Sequence, residues 1–183
     1  PGYGLLADEK MHSPLLWAST DNGMSWQYRA RIANSDKEGM RLTEASLAPL
    51  PCGSWLALIR NEAENGRMQQ TLSKDDGMSW GPIQNTDLYG HAPMLYRHPK
   101  KGLVALYRDL EGDIPGIAIA YSKDFNRWQR LGRIADYSGN LFDGGYGDLL
   151  PLNSQQWLTV YYAADADAGP GVYGVLFKIE CSE

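Results

Sequence analysis

Apolar residues in this 183-residue chain come in short, dense runs, without the three-to-four spacing of an amphipathic helix. In three places a run leads through a turn into a second run. Ser46–Leu50 passes through Pro51–Ser54 into Trp55–Arg60, and Pro93–Tyr96 through His98–Gly102 into Leu103–Arg108. Leu149–Leu152 passes through Asn153–Gln156 into Trp157–Tyr162. A further run follows two of these pairs, at Met68–Leu72 and Gly116–Tyr121. Nearly continuous apolar runs of this length predict strands buried on both faces, and the Gly, Pro, Asn and Ser between them predict hairpin turns. Each unit reads as a four-stranded antiparallel meander, which makes the chain all-β. Helical patterning is almost absent, and Asp36–Gly39 reads as a loop.

A phrase repeats at the same period. Ser19-Thr-Asp-Asn-Gly-Met-Ser-Trp26 recurs as Ser73-Lys-Asp-Asp-Gly-Met-Ser-Trp80, and Ser122-Lys-Asp-Phe-Asn-Arg-Trp128 echoes it one residue short and without the glycine. A period near 50 residues marks a repeat architecture whose units bury their faces against one another. The phrase is turn chemistry: Asp caps, Gly supplies a positive φ, and the closing Trp packs on the sheet. It resembles the Asp-box, S-x-D-x-G-x-T-W, of sialidase-type β-propellers. That resemblance implies a six-bladed fold in which the boxes at 19–26, 73–80 and 122–128 are structural turns remote from the active site. Residues 1–183 then form a single partial propeller domain of roughly three to four blades. So few blades leave apolar faces uncovered, so the expected partner is the rest of the propeller or a second copy of the chain. An opening Pro rather than Met fits a processed or longer product.

Aligning the hairpins on Leu47, Met94 and Leu149 places Glu44, His91 and Tyr146 at one equivalent position, just ahead of the first strand. Arg60, Arg108 and Tyr162 fall together at the end of the second strand. Antiparallel pairing folds 44 beside 60, 91 beside 108 and 146 beside 162. One rim of three successive blades therefore carries Glu/Arg, His/Arg and Tyr/Tyr. Singly, each has a plain structural explanation: a strand-end Arg is usually solvated or paired, and a Tyr after Gly-Gly commonly just packs. Together, varied ionisable residues at a matched register point to a site around the propeller axis.

The stretch Thr43–Arg60 resembles the part of exo-sialidases that holds the catalytic Glu, a turn and one Arg of the arginine triad. Gly145–Leu152 with Trp157–Tyr162 is similar to the segment bearing the Tyr nucleophile, where the family reads Tyr-Ser-x-Leu and then a strand ending Tyr-Glu. Gly147 replaces the Ser and Tyr162 the Glu. The resemblance implies Tyr146 as nucleophile, Glu44 as its base, and Arg60 with Arg108 as a clamp on a substrate carboxylate. His91 enters as a substrate-binding candidate with no family role. Arg108 is the looser match, because Pro115 stands about where the last triad Arg belongs. The acid/base Asp and the first triad Arg lie in N-terminal blades of the family. A neutral Tyr suits a carboxylate-bearing sugar, where a carboxylate nucleophile would be repelled, and it needs a neighbouring base. The implied function is an exo-acting, sialidase-like glycoside hydrolase, exported, of which this chain is the C-terminal half. The alternative is a non-catalytic Asp-box propeller that binds glycans or proteins.

Charge narrows the partners. A net charge of −5 with Lys and Arg scattered singly argues against a nucleic-acid groove or an anionic membrane surface. No apolar run approaches a membrane span. His91 and His98 have no partners at metal-ligand spacing, so neither metal nor cofactor is implied. Cys52 and Cys181 either pair or stand as two thiols.

Overall fold

A computed structural model describes residues 1–7, 9–64, 66–98, 102–140, 143–153, 155–165 and 169–179. The expected turn residues Pro99–Lys101 and Ser154, and Cys181, lie outside the described residues. The strands are β1 (Gly2–Gly4), β2 (Ser13–Ala18), β3 (Gln27–Arg31), β4 (Leu42–Pro49), β5 (Trp55–Asn61), β6 (Gln69–Ser73) and β7 (Gln84–Asn85). They continue with β8 (Gly90–Arg97), β9 (Leu103–Asp109), β10 (Gly116–Ser122), β11 (Gln129–Asp136), β12 (Gly144–Pro151), β13 (Gln156–Asp165) and β14 (Gly169–Lys178). Four antiparallel sheets result, in the orders β1-β2-β3, β4-β5-β6-β7, β8-β9-β10-β11 and β12-β13-β14. Each is a meander of sequence neighbours, the blade unit of a β-propeller. The chain falls into two compact units, Pro1–Asp87 with the first two sheets and Leu88–Glu183 with the last two.

The repeated turns fix the register of the blades. Ser73–Trp80 joins the third and fourth strands of its sheet, and so does Ser122–Trp128. Ser19–Trp26 joins β2 to β3, so the first sheet holds strands two to four of a blade. The last sheet, by the same count, holds strands one to three. In the first two turns the Ser hydroxyl donates to the Asp carboxylate (2.7 Å at Ser19, 2.8 Å at Ser73) and accepts from the Gly amide two residues beyond that Asp (2.8 Å in both). The carboxylate also accepts from the backbone and hydroxyl of the later Ser, at Ser25 and Ser79. Those bonds from Ser25 and Ser79 hold Asp21 and Asp75 at a pKa of about 2. Asn22-Gly23 and Asp76-Gly77 supply two successive positive φ angles. The shortened third turn manages with one, at Phe125 (φ 64°), and Asp124 accepts instead from the amides of Asn126 and Arg127.

Cores form between adjacent sheets within each unit. In the first, Ile32, Leu42, Ala57 and Ile59 are buried, with Leu16, Leu47 and Trp80 packed against them. In the second, Val104, Leu106, Ile117, Leu149, Trp157 and Tyr161 are buried together. Every residue of β9 is buried, as a strand covered on both faces requires. Trp157 packs edge-on to Tyr96 and stacked on His98, centroids 5.3 and 5.7 Å apart.

Three expectations need correction. Ser35–Glu38 is one turn of helix, α1, rather than loop: the Asn34 side chain caps it by accepting from the Lys37 amide, and Gly39 closes it at φ 65°. Trp26 does not pack on the sheet; it is 64% exposed and its indole N–H donates to Gly23 within its own turn. The apolar runs also understate the strands, since β4, β8 and β12 begin at Leu42, Gly90 and Gly144. Glu44, His91 and Tyr146 therefore lie inside strands, not ahead of them.

Candidate functional site

The pairing of each inner hairpin defines equivalence directly. Pro49 pairs with Trp55, Arg97 with Leu103 and Pro151 with Trp157; at the far ends Leu42 pairs with Asn61, Gly90 with Asp109 and Gly144 with Ala163. Counting from either end, Arg60, Arg108 and Tyr162 are equivalent, as the sequence predicts. Glu44 and Tyr146 are equivalent as well, but their counterpart in the middle blade is Ala92, not His91. His91 matches Thr43 and Gly145, one residue earlier, and pairs directly with Arg108. Aligning Met94 with Leu47 caused the slip; the spacing to the second-strand starts Trp55, Leu103 and Trp157 selects Leu95 and carries the correct signal.

Each first strand is irregular here. The register shifts between Leu42 and Ala45, between His91 and Met94, and between Gly145 and Asp148. A bulge gives one strand an extra residue and re-aims its side chains, so these positions escape simple alternation. Ala92 and Tyr146, equivalent residues in neighbouring blades, both adopt the left-handed conformation, at φ 50° and 47°. For a bulky aromatic that conformation costs on the order of 1–3 kcal/mol, which surrounding contacts must offset.

Those contacts are visible around Tyr146. Arg108 is only 2% exposed, and its Nε donates to the Gly144 carbonyl at 2.5 Å. Its guanidinium carbon lies 5.6 Å from the Tyr146 ring centroid, within cation–π range. Tyr162 is stacked on Tyr146 at 6.2 Å and 17°. Tyr146 itself remains 56% exposed, against a cation that is buried. Burial, followed by the hydrogen bond and charge of Asp143, pushes the Tyr162 phenol above its usual range, with Arg108 opposing. Burial likewise raises Tyr137, again opposed by Arg108. Glycines make the packing fit: a Cβ on Gly144 would stand 2.5 Å from the Tyr137 ring, and one on Gly145 (φ 106°) 3.3 Å from Arg108. Gly147, where the sialidase pattern has Ser, has no room for a side chain, because its Cβ would lie 2.6 Å from Leu106.

The first unit holds the other half of the candidate set. Glu44 accepts from Nη1 of Arg60 at 3.0 Å, and Nη2 of Arg60 meets Glu62 at 3.2 Å. Thr43 also donates to Glu62, at 3.3 Å. Arg60 is thus shared by two carboxylates, which fixes Glu44 and neutralises the guanidinium; Glu62 went unrecognised in the sequence. Glu44 and Arg60 come together in this unit, and His91, Arg108 and Tyr146 in the other.

A second cluster at the Arg108 end of β9 was also missed. Asp109 is fully buried, and one of its oxygens accepts from Arg130 and Arg133, each at 2.6 Å. Residues three apart on a strand should face opposite ways. The register shift in β11 between Gly132 and Arg130 pairs Arg133 with Ala118 and Arg130 with Ala120, two apart on β10, and brings both guanidiniums to one carboxylate.

No family model and no curated protein matches the chain. Solved structures do. A protein of unknown function from Dyadobacter fermentans superposes with a TM-score of 0.81 at 22% identity, over 93% of this chain and 46% of that one. The Penicillium chrysogenum α-L-arabinanase complexed with arabinobiose gives 0.61 at 18%, over 88% and 54%. The intramolecular trans-sialidase from Ruminococcus gnavus gives 0.56 at 19%, over 89% and 37%. The chain spans about half the length of the first of these structures. At such identities the likeness establishes the fold: antiparallel blades of the kind found in β-propeller glycosidases.

Proposed function

We propose that this chain contributes the reacting rim of a sialidase-like glycoside hydrolase that acts on the anionic end of a glycan. The observation that carries the proposal is the buried Arg108 set against Tyr146, a half-exposed phenol held in a strained conformation beside a second Tyr. Such strain concentrates at functional sites. The positive charge of Arg108, buried beside Tyr146, favours a substrate that carries a carboxylate, and Tyr146 offers a neutral oxygen to the anomeric carbon. In the reaction, the phenolic oxygen bonds to that carbon as the glycosidic bond breaks, and Glu44 takes the phenolic proton. The leaving oxygen is protonated by an acid outside the residues named here, and water then releases the sugar from Tyr146. Arg60, already held by Glu44 and Glu62, positions the base rather than gripping substrate. The remaining blades come from further chain or from a second copy, with no nucleic acid or membrane involved.

Solved neighbours include an arabinanase as well as sialidases, so the sugar must be tested. Hydrolysis of a 4-methylumbelliferyl sialoside, lost in Tyr146→Phe, with no action on the corresponding arabinofuranoside, is the expected result. Hydrolysis of the arabinofuranoside alone overturns the anionic specificity. A second reading, a glycan-binding propeller without catalysis, is favoured by the absence of space for a Ser side chain at Gly147. Binding of a sialylated glycan with no sugar released supports it.

A further inference from the structure

Four of the chain's six tryptophans converge on one groove in the first unit, whose lining includes neither Glu44 nor Arg60. Trp17 comes from β2, Trp55 from the start of β5, and Trp26 and Trp80 close the two complete repeat turns. The groove encloses about 420 Å³, within the range of small-molecule sites. Its charged lining residues are Arg29 and Asp76, and they form one ion pair. Arg29 donates from Nη2 to the Asp76 carboxylate at 2.6 Å and from Nε to the Asp76 carbonyl at 2.8 Å. The Trp55 indole N–H donates to the same carboxylate at 3.2 Å. Asp76 is nevertheless open, its side chain 73% exposed.

Turn and core structure explain only part of this arrangement. Trp26 donates its indole N–H to Gly23 within its own turn and Trp80 packs against the core, yet Trp26 is left 64% exposed and gives up burial that a core would use. Flat aromatic walls beside an exposed carboxylate–guanidinium pair match one ligand chemistry well. A sugar ring lays an apolar C–H face on an indole, while its vicinal hydroxyls donate to a carboxylate and accept from a guanidinium. Because the two charges cancel, the complementary ligand is uncharged.

We infer that this groove is a binding site for a neutral saccharide, built from other residues than Glu44, Arg108 and Tyr146 and independent of what those residues do. The test is tryptophan fluorescence and isothermal calorimetry of the intact protein with xylohexaose, cellohexaose and α-1,5-arabinohexaose. Saturable binding of at least one, with a Kd of about 1 mM or below, is expected. Trp26→Ala, an exposed change that leaves the fold intact, should weaken it about tenfold, Asp76→Ala should do likewise, and Tyr146→Phe should leave it unchanged. No binding of any of the three sugars overturns the inference, and so does equal affinity in Trp26→Ala and wild type. Uptake of an apolar dye in the absence of sugar binding identifies a hydrophobic protein-contact groove instead and also overturns it.

Discussion

Placing a Ser, as in the sialidase pattern, at position 147 should destabilise this protein. The added Cβ meets Leu106 Cδ2 at 2.6 Å, the Val160 carbonyl at 2.9 Å and Tyr161 Cβ at 3.2 Å. Leu106 is buried in the core between β9 and the last sheet and has nowhere to swing. Forcing atoms into a filled core costs roughly 1–3 kcal/mol, partly offset by up to about 1 kcal/mol because Gly is more flexible in the unfolded chain. For a chain of this size each kcal/mol moves Tm by about 2–4 °C, so Gly147→Ser should melt several degrees lower by calorimetry. The mechanism has its own check. Leu106→Ala alone opens a cavity and costs roughly 2–5 kcal/mol, but it also removes the closest clashing atom. The double variant should therefore be more stable than the sum of its parts by about 0.5–2 kcal/mol. A Gly147→Ser protein with the wild-type Tm, or strictly additive losses, would refute the claim that Leu106 excludes the side chain.

Three further predictions rest on other parts of the molecule. Asp21 and Asp75 titrate near 2 in the folded protein against an ordinary value near 4, so the folded state binds fewer protons. Their contribution is complete above about pH 4 and is lost as pH falls through about 2; Tm measured from pH 5 downward should decline less steeply in Asp75→Asn than in wild type. Asp109→Ala leaves Arg130 and Arg133 facing each other without their buried carboxylate and should cost roughly 2–4 kcal/mol in denaturant unfolding, where a loss below about 0.5 would show the cluster to be incidental. Leu150, Val160, Val172 and Leu176 form an exposed apolar face on the last sheet, so the isolated chain should self-associate in sedimentation, and Leu176→Lys should reduce that association. A wild-type monomer free of aggregation would contradict it.

Much of the architecture was legible because it depends on local chemistry. The second strands start at Trp55, Leu103 and near Trp157, where a turn gives way to an apolar run, and each hairpin closes through a backbone bond, as from Leu50 to Ser54. The Ser, Asp and Gly of the repeated turns read correctly because they bond within the turn itself. What escaped was set by irregularity or by distant partners. The bulge beside His91 hid the equivalence of Ala92 with Tyr146, and the one in β11 between Arg130 and Gly132 hid the shared grip on Asp109. Glu62 carries no pattern of its own and is recognised only once Arg60 lies against it. Asn34 and Gly39 are sound helix caps, but a single turn between them is too short to show periodicity. Trp26 and Trp80 occupy the same place in their turns, yet only Trp80 has a core to enter.

The central claim, that Tyr146 is the nucleophile for an anionic sugar, is tested most directly by covalent trapping. A 2,3-difluorosialic acid loses its anomeric fluoride on attack, and its remaining electron-withdrawing fluorine slows release of the glycosyl–enzyme. Peptide mass spectrometry after incubation should find the sugar on Tyr146 and no adduct in Tyr146→Phe. An adduct on any other residue, or an unmodified Tyr146 in protein that turns over a sialoside, would contradict the account.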